Sequence, residues 1–252
     1  MRTAFALFAS LALTTAGQAA DDRKSGFDFM QPATQALQKD DAQNPAMLWV
    51  KDGQALWTKP DGAAAKSCAS CHGEITRMRG VAARYPAYTS VQKKVVALGQ
   101  RINLCRVEQQ RATPWPPEHE SLLGVETAIA RQSRDMPINP PAHPQLANAQ
   151  QRGEILFNQR IGQLDLSCRD CHDNLAGRKL GGNTIPQGHA TGYPIYRLEW
   201  QSVGSLQRRL RGCMTAVRAE PYSFGASELV ELEAFLGKRS AGMMVDAPAV
   251  RP

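Results

Sequence analysis

The chain has 252 residues, 42% of them hydrophobic, which is enough to fill one large core or two of ordinary size and excludes wholesale disorder, collagen and coiled coil. Lysines and arginines number 30 against 23 aspartates and glutamates, a formal charge of +7. A surplus this modest suits a small anionic substrate or an acidic protein partner, not the concentrated basic face of a nucleic-acid module.

The first twenty residues read as an export signal. Arg2 supplies the positive start, Ala4 to Leu13 an apolar stretch, and Ala16-Gly17-Gln18-Ala19-Ala20 the small residues that a signal peptidase needs. The apolar run is about half of the ~20 residues needed to span a bilayer, and no later segment of that kind follows, so no membrane insertion is expected. The mature chain is expected to be a soluble periplasmic protein that starts near Ala20 or Asp21 and keeps a basic balance of +6, 29 minus 23.

Next comes a short helical pattern, Gly53-Gln54-Ala55-Leu56-Trp57, and 15 residues after its glycine Cys68-Ala69-Ser70-Cys71-His72. Cys-x-x-Cys-His is the attachment signature of c-type haem: the two thiols become thioethers to the porphyrin, and the adjacent histidine supplies one axial nitrogen to iron. The pattern recurs without a gap at a period of 100, as Gly153-Glu154-Ile155-Leu156-Phe157 and then Cys168-Arg169-Asp170-Cys171-His172, with Ser67 and Ser167 also matched. A zinc or redox Cys-x-x-Cys, or three disulfides in an exported chain, would not repeat in this way. Two covalent haem c groups are expected, held by Cys68 and Cys71 and by Cys168 and Cys171, with His72 and His172 on iron. The fold class expected is all-α, two tandem cytochrome c-like haem domains with long connecting loops. Met136-Pro137-Ile138-Asn139-Pro140-Pro141-Ala142-His143-Pro144 cannot continue a helix and marks the boundary, giving domains at 21–140 and 141–252.

Two cysteines remain. Cys105 lies 33 residues after His72 and Cys213 lies 41 after His172, in the related runs Arg101-Ile102-Asn103-Leu104-Cys105-Arg106 and Arg209-Leu210-Arg211-Gly212-Cys213-Met214. Val91, Val95, Leu98 and Ile102 form an apolar helical stripe that Cys105 continues, and Val203, Leu206 and Leu210 form one for Cys213. Both thiols should therefore point inward. Inert core thiols, a Cys105–Cys213 disulfide and a second axial ligand to each haem are all open to them. The last explains why the leftover cysteines track the repeat. Met136, followed by Pro137, rivals Cys105 at the first haem, and Met214, Met243 and Met244 are weaker rivals at the second.

Other features carry less. His119 and His143 lie in proline-rich surroundings and read as surface or loop residues, while His189 is a candidate for lining a substrate channel. Thr113-Pro114-Trp115-Pro116-Pro117 reads as core packing, a haem cover or a partner surface. Leu229, Leu232, Phe235 and Leu236 predict a final helix packed on the second domain.

The paired haem motifs, Cys105, the run Gln187-Gly188-His189-Ala190-Thr191-Gly192-Tyr193-Pro194-Ile195-Tyr196-Arg197-Leu198, and Arg209 to Met214 followed by Arg218-Ala219-Glu220-Pro221-Tyr222 together resemble the SoxA family over essentially the whole mature chain. These are cytochrome subunits of the SoxAX complex of bacterial thiosulfate oxidation. The resemblance implies L-cysteine S-thiosulfotransferase activity and histidine/cysteine ligation at both haems. It implies a Cys213 able to carry an extra sulfur as a persulfide, and an Arg209 that contacts substrate. The partners implied are the SoxX cytochrome, in a heterodimer, and the SoxYZ carrier. Arg209 and Cys213 lie one helical turn apart, so an oxyanion held by the planar guanidinium reaches the sulfur. Arg208 and Arg211 are expected on a solvated face. The competing function class is a dihaem electron carrier or peroxidase without sulfur chemistry.

Overall fold

The computed structural model describes residues 21–252, and the expected export signal lies outside them. The helices in chain order are α1 (Pro32–Lys39), α2 (Ala46–Thr58), α3 (Cys68–His72), α4 (Leu98–Cys105), α5 (Glu120–Arg131), α6 (Pro144–Asn158), α7 (Cys168–His172), α8 (Leu206–Ala216) and α9 (Ser227–Arg239). The short strands are β1 (Ala87–Thr89), β2 (Lys94–Val96), β3 (Lys179–Leu180), β4 (Asn183–Thr184), β5 (Ile195–Arg197), β6 (Ser202–Gly204) and β7 (Ala249–Arg251).

Two helix pairs carry the two halves: α2 lies along α5, and α6 lies along α9. The glycines of the 100-residue repeat set how close they come. A β-carbon on Gly53 would stand 2.0 Å from the carbonyl oxygen of Gly124, and one on Gly153 would stand 1.9 Å from that of Glu231. Only glycine permits such an approach. Trp57 then closes one core with Leu98, Ile102, Leu122, Val125 and Ile129. Phe157 closes the other with Met214 and the expected stripe Leu229, Leu232, Phe235 and Leu236.

The all-α expectation needs correcting, because hairpins aim both cysteine-bearing helices. Tyr85-Pro86-Ala87-Tyr88 leads into the antiparallel pair β1/β2 and on to α4; Tyr193-Pro194-Ile195-Tyr196 leads into β5/β6 and on to α8. β7 adds to β5 in parallel, with Arg197 opposite Arg251. Strands of two or three residues are too short to show a period of two, which is why helical periodicity hid them.

The halves are also laced together. Ala46 and Leu123 share a core with Tyr196, Val203 and Val250, and Ala83, Ala130 and Ile138 share another with Val245 and Ala247. Asn44 Nδ2 donates to the Pro248 carbonyl at 3.1 Å, and Arg23 Nη1 to the Ala241 carbonyl at 2.9 Å. The proline-rich passage is extended, as expected, and hydrogen-bonds to the returning tail, with the Ile138 amide donating to the Met243 carbonyl at 2.8 Å.

Candidate functional site

Each Cys-x-x-Cys-His motif occupies a five-residue helix with the serine of the repeat as its cap. Ser67 Oγ accepts from the Ser70 amide at 3.0 Å and Ser167 Oγ from the Asp170 amide at 3.2 Å. These bonds satisfy N–H groups that a helix this short leaves unpaired. All six cysteines are free thiols, so the structure does not contain the Cys105–Cys213 disulfide.

In the second half the imidazole of His172 is fixed from behind. Its Nδ1 donates to the Pro186 carbonyl at 2.8 Å, which sets the tautomer and leaves Nε2 as the ligating nitrogen. Gly188 lies against the ring at φ +72°, where a β-carbon would come within 3.0 Å of His172 Cγ. α8, capped by Ser205, brings Cys213 to face this imidazole. Burial raises the Cys213 thiol's pKa, but the neighbouring His172 imidazole and the charges of Arg209 and Arg197 outweigh it and hold the pKa below its ordinary value. Arg209 forms no ion pair among the described residues. Burial, with the Cys213 sulfur close by, pushes the Tyr193 hydroxyl up to about 12.

In the first half Cys105 sits at the end of α4 within reach of Cys71, and burial raises its thiol, only partly offset by Arg101. The ring of Trp57 lies 5.8 Å from that of His72, and its Nε1 donates to the Gly73 carbonyl at 2.8 Å. The rival sulfurs lie elsewhere. Met136 packs on Gly80 and belongs with Met243 and Met244 to the seam between the halves, and Met214 is a core residue. The donor set in each half, two motif thiols and a histidine with a further thiol close by, therefore fits a c-type haem, and in the second half that further thiol meets the histidine.

His119 and His143 lie in loops and Trp115 packs on a core, as expected, while Arg208 and Arg211 depart from expectation. His119 and His143 cap α5 and α6, accepting from the Ser121 and Gln145 amides, each at 3.1 Å. His189 points among Arg23, Arg239, Asp21 and Asp173, and burial with those guanidinium charges pushes its pKa down to about 4. Trp115 belongs to the first core, where it stacks on Arg106 at 3.4 Å. Arg208 packs on Trp200 at 4.2 Å, and Arg211 lies 4.5 Å from the Phe224 ring and donates to the Tyr222 carbonyl, so neither is simply solvated. Arg197 and Tyr193 were missed as site residues. Their signal was available in the Tyr-Pro-x-Tyr repeat, in which the position of Arg197 is taken by Thr89 in the first half.

The family model described as SoxA/TsdA, cytochrome c domain, matches residues 52–138 and 152–245. The chain belongs to the SoxA/TsdA cytochrome c family. It is 34% identical to the L-cysteine S-thiosulfotransferase subunit SoxA of Rhodovulum sulfidophilum, over 92% of this chain and 81% of that protein. It is likewise 34% identical to the subunit of the same name from Pseudaminobacter salicylatoxidans, over 93% and 83%. A crystal structure of SoxXA from P. pantotrophus superposes with a TM-score of 0.88 at 30% identity, covering 91% of this chain and 87% of that one. As a SoxA/TsdA cytochrome the chain carries covalent c-type haem, whose attachment chemistry the Cys-x-x-Cys-His motifs supply.

Proposed function

We propose that the chain is a SoxA-type subunit of an L-cysteine S-thiosulfotransferase, exported to the periplasm, with one haem c in each of two units divided at residues 140/141. It pairs with a SoxX cytochrome and serves a SoxYZ carrier. Cys68, Cys71, His72 and Cys105 hold the first haem; Cys168, Cys171, His172 and Cys213 hold the second. The single observation that carries this reading is Cys213: it faces His172, its thiol is held low, and Arg209 stands one turn before it without a carboxylate partner among the described residues. A pure electron carrier needs no such arginine.

The chain's residues then divide the work. Arg209 takes the oxygen end of thiosulfate, a dianion that its planar fork binds through two parallel hydrogen bonds. This leaves the outer sulfur directed at Cys213, whose thiolate bonds to it as Cys213-S–S–SO3⁻ with loss of two electrons, until the carrier thiol takes over the S–SO3⁻ group and Cys213 recovers its thiol. Overall, carrier-SH and thiosulfate give carrier-S–S–SO3⁻, one proton and two electrons: one S–H bond breaks and one S–S bond forms. Haem c, when bound, supplies one-electron acceptance beside this sulfur. Gly188 and Pro186 keep the His172 ring fixed meanwhile, so the sulfur alone is free to react.

The test compares wild type with Cys213→Met, each in complex with its cytochrome partner, supplied with carrier protein and thiosulfate. Wild type should reduce its haem and leave the carrier heavier by one thiosulfate; the variant should keep haem and lose both signals. A variant as active as wild type would refute the reading.

A further inference from the structure

We propose that Arg197 is a second substrate-binding cation of the Cys213 site, sharing the oxyanion end of thiosulfate with Arg209, and that it sets the second half apart from the first. This rests on the function proposed above.

Arg209 alone does not distinguish the halves, because Arg101 stands four residues before Cys105 as Arg209 stands four before Cys213. Position 197 does. The paired segments Tyr85-Pro86-Ala87-Tyr88-Thr89 and Tyr193-Pro194-Ile195-Tyr196-Arg197 end in equivalent strands, with Thr89 opposite Lys94 and Arg197 opposite Ser202. Arg208, in the first turn of α8, bonds the side chain of Ser202, the residue opposite Arg197, and shares the Trp200 ring with Arg197, so Arg197 lies beside the first turn of the helix that carries Arg209 and Cys213.

Arg197 is only 7% exposed and is held by groups that the first half lacks. Its Nε donates to the carbonyl of Pro252 at 2.8 Å, beyond the end of β7, a strand without a counterpart in the first half. Its Nη2 pairs with Glu199 at 2.7 Å, where the first half has Val91. Its guanidinium lies 5.1 Å from the ring of Trp200, where the first half has Gln92, and Arg208 covers the same ring while bonding Ser202 Oγ at 3.2 Å. Glu199 is 62% exposed and screened by water, so it neutralises Arg197 weakly. Nη1 takes no partner among the described residues.

The charges of Arg197 and Arg209 both act on the Cys213 sulfur, and burial together with the Arg209 charge pushes the Arg197 pKa down. A dianion relieves that repulsion, and thiosulfate carries two charges where a carboxylate carries one. A haem carboxylate is the other anion that such a pair would take, and the two are separable by measurement.

Arg197→Gln and Arg197→Lys are compared with wild type in the complex with the partner cytochrome, measuring KM and kcat for thiosulfate, the haem spectrum and the reduction potential. Losing one charge-assisted contact should raise KM about ten-fold in R197Q and less in R197K, with kcat changed by less than about three-fold and the potential unmoved. Because Arg197 is buried, R197K decides alone should R197Q fail to fold. An unchanged KM overturns the inference, as does a shifted potential at constant KM, which marks a haem carboxylate as the ligand. A wild-type complex inert to thiosulfate overturns the function proposed above and this inference together, whereas an active wild type beside an unaffected R197K overturns this inference alone.

Discussion

In the first half the cysteine that ends α4 lies near Arg101 and Glu108, and burial raises its thiol; in the second, the cysteine within α8 lies near His172, Arg209 and Arg197, and its thiol is held low although burial opposes this. The scaffolds are otherwise alike, from the close-approach glycine to the capped motif helix to the hairpin before the cysteine. Duplicating a haem cradle therefore does not duplicate chemistry. The second half differs by Arg197 for Thr89, by the C-terminal strand that supports Arg197, and by a longer passage from haem motif to hairpin. That passage has 20 residues between His172 and Tyr193 against 12 between His72 and Tyr85. The first half instead seals its cysteine helix, with buried Arg106 paired to Asp61 at 2.9 Å and stacked on Trp115.

The largest effect should come from breaking the two sulfurs separately. Cys213→Ser should lower thiosulfate turnover at least about a hundred-fold, on the scale of losing an activated nucleophile, while Cys105→Ser changes it by less than about five-fold. Steady-state assays of the two purified complexes check this asymmetry. Equal losses would mean that both halves share the chemistry.

Where the halves are alike, matched substitutions should behave alike. Gly53→Ala and Gly153→Ala each drive a β-carbon into a backbone carbonyl and should cost at least about 2 kcal/mol by denaturant unfolding, the scale of forced overpacking. The two glutamates that line the cavity of about 180 Å³ where the halves meet, Glu126 and Glu233, also occupy equivalent positions on α5 and α9. Burial, with the charge of Glu233 and Glu118 acting on Glu126 and that of Glu118 acting on Glu233, pushes them up to about 8 and about 7 from 4.5. The folded state thus holds protons that the unfolded chain gives up, and the stability this confers is present below pH 4.5 and lost as pH rises toward 8. The melting temperature should fall between pH 5 and 8.5 by at least about 3 °C more in wild type than in the E126Q/E233Q double variant. The smallest effect should be Trp57→Phe, which gives the first half the aromatic of the second and removes the bond to Gly73, costing about 1 kcal/mol.

Much of this was legible in the chain because covalent chemistry demands fixed spacing. The Cys-x-x-Cys-His motifs and their glycine and serine partners at a period of 100 follow from local patterns that the fold preserves, whereas the helical stripes leading to Cys105 and Cys213 hold only from Leu98 and Leu206 onward: Val95 and Val203 lie in β2 and β6, and Val91 is exposed in the turn between β1 and β2. What escaped depended on long-range contacts. The halves share two cores because residues 21–45 and 243–252 cross between them, and no periodicity announces such a crossing. The strands around Arg197 are too short to register, so a buried cation read as one more letter of a family run. His119 and His143 lie in loops, as the prolines around them indicate, and only their contacts show that the ring nitrogens cap the helices that follow.

The central proposal is that Cys213 and His172 would both hold the haem iron of the second half while the Cys213 sulfur remains the reacting atom. Electron paramagnetic resonance of the oxidised complex, recorded for wild type, Cys105→Ser and Cys213→Ser, tests it most directly. The account predicts two low-spin histidine–thiolate signals in wild type from this chain, with each variant losing a different one and only the Cys213 variant losing thiosulfate turnover. A histidine–methionine or bis-histidine signal at the second haem, or a Cys213 variant that leaves both thiolate signals intact, would contradict it.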